Sequence, residues 1–264
     1  MTAPWVALTT DFGRGSYVAQ MKGVILSLNP RAHLIDIAHD LGPQNIRAYA
    51  LCLRQCVPYF PAGTIHIVVV DPGVGTARRA LCAQMHGQVF LAPDNGVLGW
   101  IALQDPNVAY VHLTAQRFWR SPVSATFHGR DIFAPVAAHL SLGVPVTALG
   151  PSLFDPVELP WPQPVQEPSR TVGEVLTVDP FGNLITNLTP IDLARWTHPH
   201  VRCQGREIGK IQRTYGDVAP GTLLALINSS DLLEIAVAGG HAAHTLSTGA
   251  GTLVEVLTRS VRSC

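Results

Sequence analysis

The chain has 264 residues, 47% hydrophobic and 14% charged, a composition that builds a full core and excludes a disordered chain. Its 18 basic and 18 acidic residues cancel to a formal net charge of zero, so nothing favours a nucleic-acid or acidic-membrane partner. No segment reaches the roughly 18 apolar residues of a membrane span.

The first half alternates between strand and helix patterns. WVALTT is a short apolar strand. SYVAQMKGVILSLNP follows, with Val18, Met21, Ile25 and Leu28 at helical spacing and Pro30 past the end. HLIDIAH is a second strand, PQNIRAYALCLRQCVPYFP a second helix closed by prolines, and TIHIVVVD a third strand, apolar as parallel strands buried on both faces tend to be. Strand-like runs recur at QVFLAP and VAYVHL. A helix is expected over RDIFAPVAAHLSLG, with Pro135 tolerated in its first turns. This alternation with short links predicts an open, Rossmann-like α/β sheet wound by right-handed crossovers over residues 1–160.

The character then changes. LPWPQPVQEPSR carries four prolines and reads as a semi-rigid linker, with 161–170 as its core. Short strand-like runs follow at GEVLTVD, LITNL, HVRCQG, TLLALIN, LLEIAVA and GTLVEVL, split by glycines, prolines and polar residues. That pattern predicts a small antiparallel β-barrel over residues 171–264.

The five cysteines, Cys52, Cys56, Cys82, Cys203 and Cys264, form no C-x-x-C pair and match no disulfide framework or zinc site. They are expected to be small core residues in a reducing compartment. MTAPWVALTTDFG meets an acid before any long apolar run, so no signal peptide is expected. The expected location is the cytoplasm.

Polar clusters sit where strands end. In TTDFG, Asp11 follows the first strand, facing the crevice where open α/β sheets bind ligands. Its carboxylate either accepts hydrogen bonds from a ribose diol or caps the next helix. In VVVDPGVGTARR, Asp71 ends the third strand and should lie near Asp11 if the two strands are neighbours. The glycines permit a tight turn, and Arg78 or Arg79 can return toward Asp71. The Lys and Ser/Thr of a phosphate loop are missing, which argues against a nucleotide-phosphate hydrolase. APDNGVLG reads as a structural turn and helix start.

In SATFHGRDIF, His128 beside Gly129 presents an imidazole and a bare backbone at a helix entry, a candidate base. In DPFGNLITN, Phe181 can stack on a purine and Asn183 can pair with its edge, although Pro-Phe-Gly-Asn is also good turn chemistry. NSSDLLEIAVAGGHAA is a polar loop running into a strand and a Gly-Gly turn. His198, His200, His241 and His244 lack a carboxylate or thiolate at ligand spacing, so no metal is expected.

Taken in this order and at these intervals, the motifs TTDFG, VVVDPGVGTARR, APDNGVL, TFHGRDIFAP, DPFGNLITN and LLEIAVAGGHAA resemble the S-adenosyl-L-methionine hydroxide adenosyltransferase family, relatives of the fluorinase and chlorinase. The resemblance runs from about Leu8 to Val256. It implies a cofactor-free hydrolase that converts S-adenosylmethionine and water to adenosine and methionine. It also implies a homotrimer with substrate between the N-terminal domain of one subunit and the C-terminal domain of its neighbour.

The Asp-Arg-His set that such enzymes hold around the attacking water matches Asp71, Arg78 and His128. Asp11 matches the ribose aspartate, and Phe181 and Asn183 match adenine contacts. Thr126, Ser229, Glu234 and the backbone at Ala236 and Val237 match further substrate contacts, and Asp179 a partner for the methionine ammonium. TDFGRGSYV is shorter than the common family spacing and has Ser16 where relatives often carry an acid. Halogenating relatives are expected to lack the His-Gly and Asp–Arg set, so His128-Gly129 favours water over halide. The rival readings are a halogenase and a non-catalytic adenosine or S-adenosylmethionine sensor.

Overall fold

Two residues that each take up a left-handed backbone decide the shape of the first sheet. They are His86 (φ +54°) and Gly87 (φ +69°). A two-residue loop of this kind joins only antiparallel strands, and here it splits what the sequence reads as a parallel sheet into two halves.

The computed structural model describes residues 4–258, and Cys264 lies outside them. The chain divides into two compact units, Met1–Pro160 and Trp161–Cys264. The first runs β1 (Trp5–Thr10), α1 (Ser16–Leu28), β2 (His33–Ala38), α2 (Ile46–Cys56), β3 (Ile65–Val69), β4 (Ala80–Met85), β5 (Gln88–Pro93), α3 (Gly99–Ala102), β6 (Ala109–His112), α4 (Ala134–Ser141) and β7 (Ser152–Leu153).

Its seven strands lie in the order β2-β1-β3-β5-β4-β6-β7. β2, β1, β3 and β5 are mutually parallel. β4, missed in the sequence reading, turns back through His86-Gly87 and pairs antiparallel with β5 and β6. β3 shows why its run is apolar on both faces. Ile65, Ile67 and Val69 join a core with Met21 and Ile25 of α1 and Ala137 of α4. Val68 and Val70 join a second core with Tyr49 and Leu53 of α2 and Ile101 of α3. Period-2 alternation thus feeds two helical layers.

Ahead of α4 the chain makes one π-helical turn, Gly129–Phe133, in which the Ala134 N–H reaches back to the Gly129 carbonyl. Pro135 sits at the start of the α-helix proper, where its missing N–H is not needed.

The second unit runs β8 (Val165–Gln166), β9 (Thr171–Val178), β10 (Leu184–Thr186), α5 (Pro190–Leu193), β11 (Pro199–Cys203), β12 (Arg206–Gln212), β13 (Leu223–Ile227), β14 (Leu233–Val237), α6 (Ala242–Leu246) and β15 (Leu253–Thr258). Strands β9-β10-β14-β13-β12-β11-β15 close on themselves through the β9–β10 pairing, and β8, inside the proline-rich stretch, attaches to β9. The barrel is filled by Val175, Leu184, Val201, Ala225, Leu233, Ile235, Val254 and Val256. One pairing departs from the antiparallel expectation: β12 and β13 are parallel. The stretch between them, from Arg213 to Thr222, is long enough to cross the barrel end and re-enter in the same direction. Among the described residues no helix is long and apolar enough to cross a membrane.

Candidate functional site

β1 and β3 are neighbours with Thr10 opposite Val69, so Asp11 and Asp71 emerge at adjacent carboxyl ends of parallel strands. The loop after Asp71 folds back on itself. Val74 N–H bonds the Asp71 carbonyl at 3.2 Å, Thr76 N–H bonds the Gly73 carbonyl at 3.2 Å, and the Thr76 hydroxyl donates to the same carbonyl at 2.7 Å.

This return delivers Arg78 to Asp71 as a fork. Arg78 Nε donates to Asp71 Oδ1 at 2.9 Å and Nη2 donates to Asp71 Oδ2. Nη2 also lies 2.9 Å from His128 Nδ1. The Arg78 and Asp71 side chains are 10% and 5% exposed, so the pair is largely desolvated and its bidentate geometry matters. The Arg78 guanidinium carbon stands 5.7 Å from the centre of the Phe133 ring.

A guanidinium has no acceptor, so Nδ1 of His128 accepts and carries no proton. The neutral ring therefore holds its proton on Nε2. Burial and the Arg78 cation push the His128 pKa below its ordinary 6.5, against the opposing pull of Asp71 and Asp131.

Two glycines lock this arrangement. At Gly75 (φ +78°) any Cβ would overlap the Ala125 carbonyl oxygen, so only glycine lets the Asp71–Arg78 loop rest on the loop that carries His128. At Gly129 a Cβ would stand 3.2 Å from Met21 Sδ and 3.3 Å from the Phe127 ring.

The remaining expected residues of the first unit lie around the same strand ends. Asp11 does not cap α1, whose cap position is Gly15 with no side-chain bond. Instead its Oδ2 accepts the Gln44 N–H at 2.8 Å. Thr126 is exposed and shares with Ser124 a 3.3 Å hydroxyl contact. It lines a cleft of about 430 Å3 with Phe12, Tyr17, Phe127, Gln20 and Arg130. Phe12 and Tyr17 each meet Phe127 edge-on, at 5.6 and 5.3 Å, and tilt against each other at 5.6 Å.

Arg79, unassigned by the motif, is structural: it bonds Asp94 Oδ2 and Asp155 Oδ1, each at 2.7 Å. The APDNG turn is structural too, since Asn95 Nδ2 ties the Val70 carbonyl at 2.8 Å. One organising residue carried no assigned role in the sequence reading. Asp131 is fully buried and accepts from Arg120, Arg130 and the Ser124 N–H at 2.7–2.9 Å.

In the second unit the expected residues gather on two loops. Asp179 anchors its own turn: Oδ1 accepts the N–H groups of Phe181 and Asn183 at 2.9 and 2.8 Å, and Oδ2 accepts Asn183 Nδ2 at 3.0 Å. Phe181 is 77% exposed, while Asn183 is buried. Ser229 is exposed at the tip of the β13–β14 turn. Glu234 is buried and bonded by the Tyr215 hydroxyl at 2.6 Å and Asn228 Nδ2 at 3.3 Å. Burial raises the Glu234 carboxyl above its ordinary value despite both bonds. Ala236 and Val237 pair with Leu224 and Leu223 on one side. On the other side the β10 register stops at Ile235. Among the described residues no group of three or more His, Cys, Asp and Glu side chains is placed to hold a metal ion.

The N-terminal domain of SAM hydroxide adenosyltransferases matches residues 6–150, and the C-terminal domain matches residues 173–255. The chain belongs to this family. An (R)-S-adenosyl-L-methionine hydrolase from Salinispora tropica is 42% identical, over 96% of this chain and 97% of its own length. A fluorinase from an Actinoplanes species is 27% identical, over 73% of this chain and 74% of its own. A crystal structure of an uncharacterized conserved protein from Thermotoga maritima superposes with a TM-score of 0.88 at 37% identity, covering 96% of this chain and 99% of that one. Sequence similarity within the family thus runs more strongly to the hydrolase than to the fluorinase.

Proposed function

We propose that this enzyme hydrolyses S-adenosyl-L-methionine to adenosine and methionine by in-line attack of water on C5′, with Asp71, Arg78 and His128 around the water. The observation that carries the reading is the fork of Arg78 on Asp71 with its second contact to His128.

The sulfonium substrate leaves as a neutral thioether, so no acid is needed on the leaving side. The weak nucleophile is the difficulty. Arg78 supplies a fixed positive charge that stabilises the hydroxide character the attacking oxygen gains as a proton leaves it. With Nδ1 engaged by Arg78, His128 presents its Nε2–H as a donor that orients the water lone pair toward C5′. One proton of the water passes to the neighbouring Asp71 carboxylate as the C5′–O bond forms, and from there to solvent. Such alignment supplies on the order of 7–11 kcal/mol in favourable cases.

Asp11 and Thr126 hold the ribose side. Phe181, Asn183, Asp179, Ser229, Glu234 and the Ala236–Val237 backbone form the adenine and methionine side, contributed by a neighbouring subunit of a homotrimer. Family membership supports the trimer. The free thiols Cys52, Cys56, Cys82 and Cys203 suit the reducing cytoplasm.

The test is liquid chromatography of purified protein with the two sulfonium epimers of S-adenosylmethionine, with light scattering on the same sample. Equimolar adenosine and methionine are expected, released faster from the (R) epimer named for its Salinispora relative, from particles of three chains. Halide-dependent 5′-halo-adenosine in excess of adenosine would sink the reading.

A pH dependence follows from His128. Its pKa lies below the ordinary 6.5, so the neutral ring predominates at that pH and gives way to the charged ring as pH falls further. Protonation must then occur at Nδ1, which sets two cations and two donors against each other. The acid limb of kcat/KM is therefore expected to be centred below 6.5. An acid limb centred above 6.5, or one that persists in His128→Ala, contradicts this assignment.

A further inference from the structure

The turn that carries Asp11 is gripped from the end of β2. Thr10 is fully buried, and its hydroxyl lies 2.8 Å from His39 Nδ1 while accepting the Phe12 N–H at 3.3 Å. The His39 carbonyl accepts the Gly13 N–H at 2.7 Å. His39 thus holds the turn on both sides of Asp11, once through its ring and once through its backbone.

The ring has a fixed orientation. His39 Nε2 lies 3.0 Å from Asp36 Oδ1, off the line of a hydrogen bond, and Lys22 Nζ donates to Asp36 Oδ2 at 2.6 Å. A carboxylate beside Nε2 favours the tautomer with its proton there, so Nδ1 accepts from the Thr10 hydroxyl. The register shift in the β1–β2 pairing at Leu8/Thr9, which sets Thr9 opposite Ala38, brings His39 level with Thr10.

We propose that His39 is a positioning residue for Asp11: it clamps the Thr10–Gly13 turn so that the Asp11 carboxylate faces the ribose diol. This rests on the reading that Asp11 binds ribose. A general fold stabiliser would lower melting temperature without changing which nucleoside is preferred. A positioning residue changes the preference itself.

The experiment is calorimetric binding of adenosine and 2′-deoxyadenosine to wild type, His39→Ala, His39→Asn, Thr10→Val and Asp11→Ala, with steady-state kinetics on S-adenosylmethionine. Wild type is expected to favour adenosine. His39→Ala is expected to weaken adenosine binding by on the order of tenfold to a hundredfold, the scale of a displaced positioning group, and to lose the preference. KM rises with it, and kcat at saturation changes much less. His39→Asn, whose side chain still reaches Thr10, recovers part of the loss. His39→Ala adds little to Asp11→Ala, because both remove the same interaction.

Unchanged nucleoside preference in folded His39→Ala, or full additivity with Asp11→Ala, overturns the proposal. If His39→Ala does not fold, Thr10→Val decides by the same readout. A wild type that prefers adenosine yet releases none from S-adenosylmethionine overturns the hydrolase reading and leaves the positioning role standing. One that binds both nucleosides equally overturns the positioning role.

Discussion

Replacing Arg78 with methionine is expected to lower kcat by roughly 10²–10³-fold, the scale for removing one preorganised electrostatic group at a reacting oxygen. Arg78 makes two bonds to Asp71 and one to His128 Nδ1, besides a 3.4 Å bond from Nη1 to the Arg79 carbonyl. Losing it removes the positive charge and also frees the His128 ring to change tautomer. KM is expected to stay within a few fold, because adenine, ribose and methionine contacts are made elsewhere.

The variant leaves Asp71 as a buried unpaired carboxylate, which costs stability in its own right. Arg78→Met combined with Asp71→Asn removes that burden and shows whether the fold survives the change, while also removing the proton acceptor. Arg78→Lys keeps a charge but lacks the planar fork that spans Asp71 and His128 together, so it should fall between wild type and methionine. His128→Ala should still bind adenosine and lose much of the rate. A sensor without catalysis would respond to none of these changes in turnover. Full activity in folded Arg78→Met, measured as adenosine released, rules out the assigned role.

How much of this was legible in the sequence depends on the distance over which each feature is encoded. The Asp71–Arg78 return is local: seven residues with two glycines, and the loop closes as expected. The strand that feeds it is equally local, since a β-branched run interrupted only by His66 and bounded by Asp-Pro-Gly has few alternatives. β4 and β12 escaped for a shared reason. Each follows or precedes a two-residue turn, His86-Gly87 or Gln204-Gly205, with both residues at positive φ. Asn and Asp are the usual first residues of such turns, and His and Gln are not. ALCAQM lacks β-branched residues, and REIGKIQ has only two apolar ones.

The features that bind loops together were not legible. His39 meets Thr10 across 29 positions, and only the strand register reveals it. The π-helical turn at Gly129–Phe133 depends on a bond that no short motif announces. Asp179 illustrates the opposite case. The resemblance assigns it an external partner, whereas both its oxygens are already engaged within its own turn. A methionine ammonium would have to share them.

Replacing Asp131 with alanine is expected to destabilise the protein by about 3–5 kcal/mol, the cost of breaking a buried ion pair from one side. The carboxylate is fully buried and gathers Arg120, Arg130 and the Ser124 N–H, and its own carbonyl accepts the Arg120 N–H at 2.9 Å. Removing the carboxylate leaves the 120–126 loop with only the backbone bond from the Arg120 N–H to residue 131, and that loop ends beside His128, so activity should fall in the same variant. The two arginines are not equivalent to the aspartate. Arg120 is 45% exposed and can rehydrate, so Arg120→Ala is expected to cost no more than about 1 kcal/mol.

The sign of the acid dependence is fixed. Burial raises the Asp131 carboxyl, but the bonds from Arg130, Ser124 and Arg120 more than offset it and hold it below the ordinary 3.8. Its stabilisation is therefore present above 3.8 and lost as pH falls through the lowered value. Urea unfolding across this range should show an acid step in wild type that Asp131→Ala lacks. An Asp131→Ala midpoint and slope matching wild type at neutral pH would refute Asp131 as the anchor that holds His128 in place.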